Sequence, residues 1–521
     1  MTAWLSHAPP AGVARAALRV GRVVAMASAA LVWSLPAAAR VLPYGEAVPE
    51  PLRAIVSEVD YQSNLQAAMP SLQAGVLSEA QVSRMAGSPC AAALIDFQNA
   101  MAEGRDRYAP LLAVINAGFT PPPVGFDPSN GPNMWQVPLG TEPFAGLLAH
   151  MADFFTDWCV FLPEIQGDED TGLAFIQKIG WLYYQNPPAQ AFTQGINPLT
   201  GEPDRVLANF LKEFSDQRGR FMDSPASTRY VRQWIDDPRI EIEDYKVQQA
   251  AKYRSWNAFF TRELTTAADG SIPSRPVTLP ERTWVVVSPT DCIMNPLVQT
   301  LNLDADRGQV RALIDNPLTL DTVIDVKRYP LLLDRLLGNA PDALKQQFVG
   351  GSGLSCILMP NTYHHYHAPV DGTIEYAEIV KIGDGSAAGT YGYYDFPNWL
   401  PANGNVAQPG TDFSQFEVFQ RGIIIIKTTY TGTAPDDQVT GYVALIPVGL
   451  NTIGSVTFDE STVAGAAVKK GVTRLGGFRY GGSLNIILFS KDIASPTVQT
   501  RLGNQINTLN AGKAPALFAP H

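Results

Sequence analysis

Near residue 280 the chain changes texture, and that change limits its possible folds more than any other feature. Upstream, apolar residues recur at helical spacing in GLLAHMADFFTDWCVFL (146–162), GLAFIQKIGWLYY (172–184) and ANFLKEFSDQRGRFM (208–222). Downstream come short β-branched runs separated by Gly, Pro, Asn and Asp: TWVVVSP, SCILMP, GTIEYAEIV, GIIIIKTTYTG, GYVALIPVGL, GSVTFDE and NIILFS. One helical interruption, YPLLLDRLLGNAPDALKQQF (329–348), sits among them, and the proline-rich TPPPVGFDPSNGPNMW (120–135) reads as a linker or long loop. The pattern predicts an α+β protein, with a mainly helical region over 40–265 followed by a β-rich domain over 266–521.

The first 39 residues read differently. Arg15, Arg19 and Arg22 precede VVAMASAALVWSLPAAA, an apolar stretch that ends in small residues. This is the layout of a cleaved export signal, and at 17 residues with two serines and a proline the stretch is short for a membrane span. The expected location is therefore exported, periplasmic or secreted. Removing residues 1–39 would take the net charge from −11 to −14, because three arginines and no acids are lost. So acidic a surface argues against a nucleic-acid partner and against adsorption to anionic lipid through basic patches. The four cysteines, Cys90, Cys159, Cys292 and Cys356, allow three pairings, and no Cys/His spacing suggests zinc.

The chemistry concentrates in two places. RYGGSLNIILF (479–489) begins with two glycines and a serine and ends as a core strand. Either this is a turn feeding a strand, or the Gly482–Ser483 bond is itself reactive. NTYHHYHAPVDG carries His364, His365 and His367, half of the six histidines in the chain. A serine hydroxyl needs a base and a group that orients that base. The histidine cluster is the economical source of the base, and Asp291 of SPTDC, directly after VVV, is the acid that a strand would fix in place. Asp371 is the rival, although Asp-Gly usually marks a turn. No HExxH-type pairing completes a metal site around the histidines.

These pieces resemble one family. WNAFFTREL…SRPV (256–277), VVVSPTDC, YHHYHAPVDG, IPVGLNTIGSV and KKGVTRLGGFRYGGSLNIILF follow the motif order of the phosphatidylserine decarboxylases, which mature by cutting themselves. The resemblance implies that Asp291, His367 and Ser483 form the self-cleaving triad, with His364 and His365 facing the substrate. It implies cleavage between Gly482 and Ser483, and a pyruvoyl group made from Ser483 as the only cofactor. The released small chain would run over 483–521. Decarboxylation would proceed through a Schiff base with a substrate amine, with His367, given a near-neutral pKa, returning the proton. Three positions depart from the family pattern: Cys292 replaces a glycine, His365 an arginine and Leu484 a threonine.

The implied partner is an amino-acid or aminophospholipid substrate, with a homodimer as an assembly to test. Phosphatidylserine is the default, although no amphipathic segment stands out as a membrane-docking element. DFFTDWCVFL and FMDSPASTRYVRQW, with the long extension before them, resemble an extended branch that acts on free aromatic amino acids such as tryptophan. Such a decarboxylase, or an inactive exported scaffold, is the alternative.

Overall fold

The computed structural model describes residues 56–117, 137, 142–162, 187–193, 195–300, 310–312, 318–326, 329–358, 361–380, 421–431, 437–449, 455–479, 483–491, 499–500 and 505–508. The export-signal stretch, the proline-rich linker and the segment 172–184 lie outside these residues.

The helical region is built around four helices: α1 (Glu79–Ala86), α2 (Ala91–Glu103), α3 (Pro143–Val160) and α4 (Val206–Met222). Ser78 and Gln81 close a reciprocal capping box at the start of α1, which satisfies amide groups the helix cannot. On the inner faces Phe97, Phe155, Phe210 and Phe214 meet ring to ring at 4.6–5.0 Å, within the range where aromatic pairs attract. A disulfide joins Cys90, at the N-terminus of α2, to Cys159 near the end of α3. Among the described residues no helix is long and apolar enough to cross a membrane.

The β-rich domain follows a short helix, α5 (Trp256–Phe260), and a strand, β1 (Val285–Val287), that pairs antiparallel with Gln505–Thr508. Its strands are β2 (Cys292–Pro296), β3 (Ser352–Leu358), β4 (His365–His367), β5 (Gly372–Ile379), β6 (Gly422–Thr431), β7 (Gln438–Val448), β8 (Ser455–Phe458), β9 (Ala467–Val468), β10 (Arg474–Arg479), β11 (Ser483–Phe489) and β12 (Gln499–Thr500). Eight of them form one sheet in the order β9-β5-β6-β7-β11-β3-β2-β12, and a smaller sheet has the order β8-β10-β4.

The central strands are buried on both faces, which is why IIII (423–426) and IILF (486–489) show no alternation. Ile423, Ile425, Ile446, Leu484, Ile486 and Leu488 join the apolar core that continues into the helical region. Ile424, Ile426, Leu445, Ile487 and Phe489 point the other way, toward Tyr366 and Phe478 of the small sheet. The large sheet is thus the middle layer between the helices and the small sheet.

One boundary differs from the sequence reading. The stretch expected to be helical from residue 329 opens as a strand, Tyr329–Leu332, at the edge of a separate four-stranded sheet, and turns helical only at Leu333–Leu336 and Asp342–Lys345. Pro330 explains this, because a residue without an amide proton is tolerated on an edge strand and disfavoured inside a helix.

Candidate active site

The turn at 288–291 and the segment 361–367 are laced together. The Ser288 hydroxyl donates to Thr290 O at 2.6 Å, the Thr290 hydroxyl to Tyr363 O at 2.9 Å, and the His367 amide to Pro289 O at 2.8 Å. The sequence-distant segments that carry Asp291 and His367 are thereby held together. Arg262, buried, anchors the approach to the histidines by donating Nη2 to Asn361 O at 2.6 Å while its guanidinium lies 4.5 Å from the Tyr245 ring centroid.

Asp291 is clasped by Arg275. Nε lies 3.0 Å from Oδ1 and Nη2 lies 2.9 Å from Oδ2, with the two side chains 2% and 7% exposed. The same guanidinium reaches Asp244 at 2.6 Å and Glu241 at 3.4 Å. Burial works against the charge of Arg275, but hydrogen bonds and charge from Asp291, together with the bond to Asp244, outweigh it and hold its proton more tightly than usual. Arg275 stands inside the SRPV motif, yet nothing local in the sequence marks it as the partner of Asp291.

The three histidines are neutral bases. A carbonyl can only accept, so each ring nitrogen that meets one carries a proton. His364 Nδ1 donates to Thr362 O at 2.9 Å, His365 Nε2 to Thr261 O at 2.9 Å, and His367 Nδ1 to Val472 O at 3.3 Å. The remaining nitrogen of His367, Nε2, accepts the Tyr363 hydroxyl at 3.0 Å. His367 is thus oriented by a backbone carbonyl and a tyrosine, and the carboxylate of Asp291 is turned to Arg275. Burial, with a further push from His365, lowers the His367 pKa to about 3. The near-neutral value expected from sequence does not hold. Burial and the Arg262 charge pull His364 well down, and burial lowers His365. The His364 ring also stacks on Phe260 of α5 at 3.7 Å between centroids.

Ser483 opens β11. β10 ends in the small sheet at Arg479 and β11 begins in the large sheet at Ser483, a crossing between layers. Gly482 lies outside the described residues. Phe478, just before the crossing, donates its amide to His364 O at 2.8 Å, whereas His367 pairs with Arg474 at the other end of β10. His364 is therefore the imidazole nearest the crossing along the strands. Ser483 is buried and its Oγ has no hydrogen-bond partner among the described residues. Two residues on, Asn485 is also buried, with neither Oδ1 nor Nδ2 partnered. Such orphaned polar atoms call for a role. A second disulfide, Cys292–Cys356, lies on the same side of the sheet, with Cys356 directly across from Asn485.

Residues 256–513 match the phosphatidylserine decarboxylase family. This segment is a phosphatidylserine decarboxylase-family domain. Its family is one of pyruvoyl-dependent carboxy-lyases, and the chain carries that decarboxylase domain behind a helical region that lies outside the match. A phosphatidylserine decarboxylase proenzyme of Clostridium perfringens is 29% identical over 56% of this chain and 81% of its own length. Phosphatidylserine decarboxylase proenzyme 3 of Schizosaccharomyces pombe is 26% identical over 56% of this chain, a stretch that makes up only 24% of that longer protein. Decarboxylase iboD of Amanita muscaria is 28% identical over 54% of this chain and 66% of its own. The likeness of the helical segments to aromatic amino-acid decarboxylases finds no support in these relatives.

Proposed function

We propose that this chain is a self-processing decarboxylase in which Ser483 cuts the bond to Gly482 and becomes the reactive group. The observation that carries the reading is the buried Ser483 hydroxyl, without a partner among the described residues, at the first position of β11. Ser483 Oγ attacks the Gly482 carbonyl carbon, and the peptide rearranges to an ester. Elimination then leaves a carboxylate on Gly482 and a dehydroalanine at 483, which water converts to a ketoacyl cap with loss of ammonia.

A neutral imidazole at His367 suits the base that takes the serine proton. Its Nε2 lone pair holds the Tyr363 hydroxyl, so Tyr363 either relays that proton or swings aside. Asp291 acts on His367 through the turn: clamped by Arg275, it fixes the backbone whose Pro289 carbonyl receives the His367 amide. In this reading His364 and His365 meet the substrate as neutral acceptors.

The residues present fit the implied group, because Ser483 Oγ and the Asn485 amide are buried without partners among the described residues. A pyruvoyl group supplies a carbonyl that engages an amine and takes up the electron pair left when CO2 departs. Phosphatidylserine is the favoured substrate, in keeping with the names of the bacterial and fission-yeast relatives. The two disulfides suit an oxidising compartment and support export.

Denaturing mass analysis tests this reading. The purified protein should contain a 483–521 fragment with a carbonyl at its first residue, trappable by borohydride, and Ser483→Ala should remain one chain. A wild-type chain that stays continuous through Gly482 and Ser483 overturns the proposal.

A further inference from the structure

We infer that Asn485 is a specificity-determining residue that reads the amino-acid head of the substrate. This inference rests on the proposed function above. Side chains on one strand face repeat every second residue, so Ser483 and Asn485 project in the same direction, roughly 7 Å apart along β11. Across from Asn485 stand Cys356 on β3 and Pro447 on β7, and across from Ser483 stands Leu358. Cys356 is locked in the disulfide to Cys292, and Pro447 has no amide proton. The surroundings on that face are apolar: Met294, Leu354, Leu358 and Ile487.

A carboxamide can make four hydrogen bonds, and here neither of its two polar atoms has a partner among the described residues although the residue is 0% exposed. An apolar residue would pack at this position without that cost, so the polar group points to a ligand.

The chemistry of the amide names the ligand class. An α-amino acid head offers a carboxylate that accepts and an amine that donates, and a carboxamide presents the complementary donor and acceptor side by side. Being uncharged, Asn485 can hold the carboxylate without the strong ion pairing that would oppose its loss as CO2. An amine without the carboxylate satisfies only one end of the amide.

The experiment compares O-phospho-L-serine with phosphoethanolamine, which differ in that carboxylate alone. Each is trapped by borohydride on the processed protein, in wild type and in Asn485→Leu, with unfolding of both proteins measured in parallel. The expected result is that Asn485→Leu still releases the 483–521 fragment and is at least as stable as wild type. It should lose a tenfold or greater preference for phosphoserine that wild type shows. Asn485→Gln, with the amide moved by one methylene, should recover part of the preference.

An unchanged preference in Asn485→Leu overturns the inference and leaves the self-processing reading standing. Destabilisation of Asn485→Leu overturns it as well, because it would reveal protein partners for the amide. Failure of that variant to cut would move Asn485 into the processing step and also overturn it. Absence of the fragment from wild type removes both proposals.

Discussion

Acid should weaken the β-rich domain through His367, and the size of the effect follows from its surroundings. The imidazole is enclosed, its Nδ1 proton is given to Val472 and its Nε2 holds the Tyr363 hydroxyl, so a second proton is taken up only by displacing Tyr363. In the folded chain the group titrates at about 3, against 6.5 when unfolded. Because the folded value is the lower one, the unfolded chain binds the proton first. The stabilisation is fully present above pH 6.5 and is lost as the pH falls toward 3. Between pH 8 and pH 4.5 this single residue should remove about 3 kcal/mol of stability, on the order of a hundredfold change in the unfolding constant. The assay is chemical denaturation of Ser483→Ala, which cannot cut itself, at the two pH values, with and without His367→Gln. Glutamine does not titrate, and whatever its packing costs is common to both pH values and cancels. If the two proteins lose equal stability on acidification, the enclosed neutral imidazole described here is wrong.

Two further expectations concern the scaffold around Asp291. Arg275→Met leaves three carboxylates facing an apolar side chain, with Asp291 itself buried, and should destabilise the domain by about 3–5 kcal/mol, read from the denaturation midpoint. A matched stability in that variant would mean that the ion pair is not formed. Replacing both Cys292 and Cys356 by serine opens a loop with a sequence separation of 64 residues and should cost about 4 kcal/mol in non-reducing unfolding experiments. Equal midpoints for wild type and the double variant would show that the bridge is absent.

Much of the architecture was legible because burial writes itself into periodicity. The helical spacing of GLLAHMADFFTDWCVFL returns as α3, and the unalternating IIII returns as a strand covered on both faces. Asp291 and His367 could be named from their motifs, and the turn at 288–291 does bring their segments together. What could not be read is pairing at a distance. An Arg–Asp clasp sixteen residues apart leaves no local trace, so the motif alone does not mark Arg275 as the residue that governs where the Asp291 carboxylate points. Tyr363 looked like one more aromatic, and only the fold shows that it covers the His367 lone pair. Asn485 reads as a single polar letter in an apolar run, and its isolation emerges only when both neighbouring strands are in register. The choice among three cysteine pairings likewise waited for the distances.

If the backbone is severed ahead of β11 as proposed, the processed protein is two polypeptides that share one sheet. The shorter one supplies a strand clamped between β7 and β3, with six paired positions on one side and seven on the other. Maturation therefore discards nothing from the fold. It opens one covalent link ahead of β11 and leaves the pairing of that strand with β7 and β3 to hold the shorter chain in place.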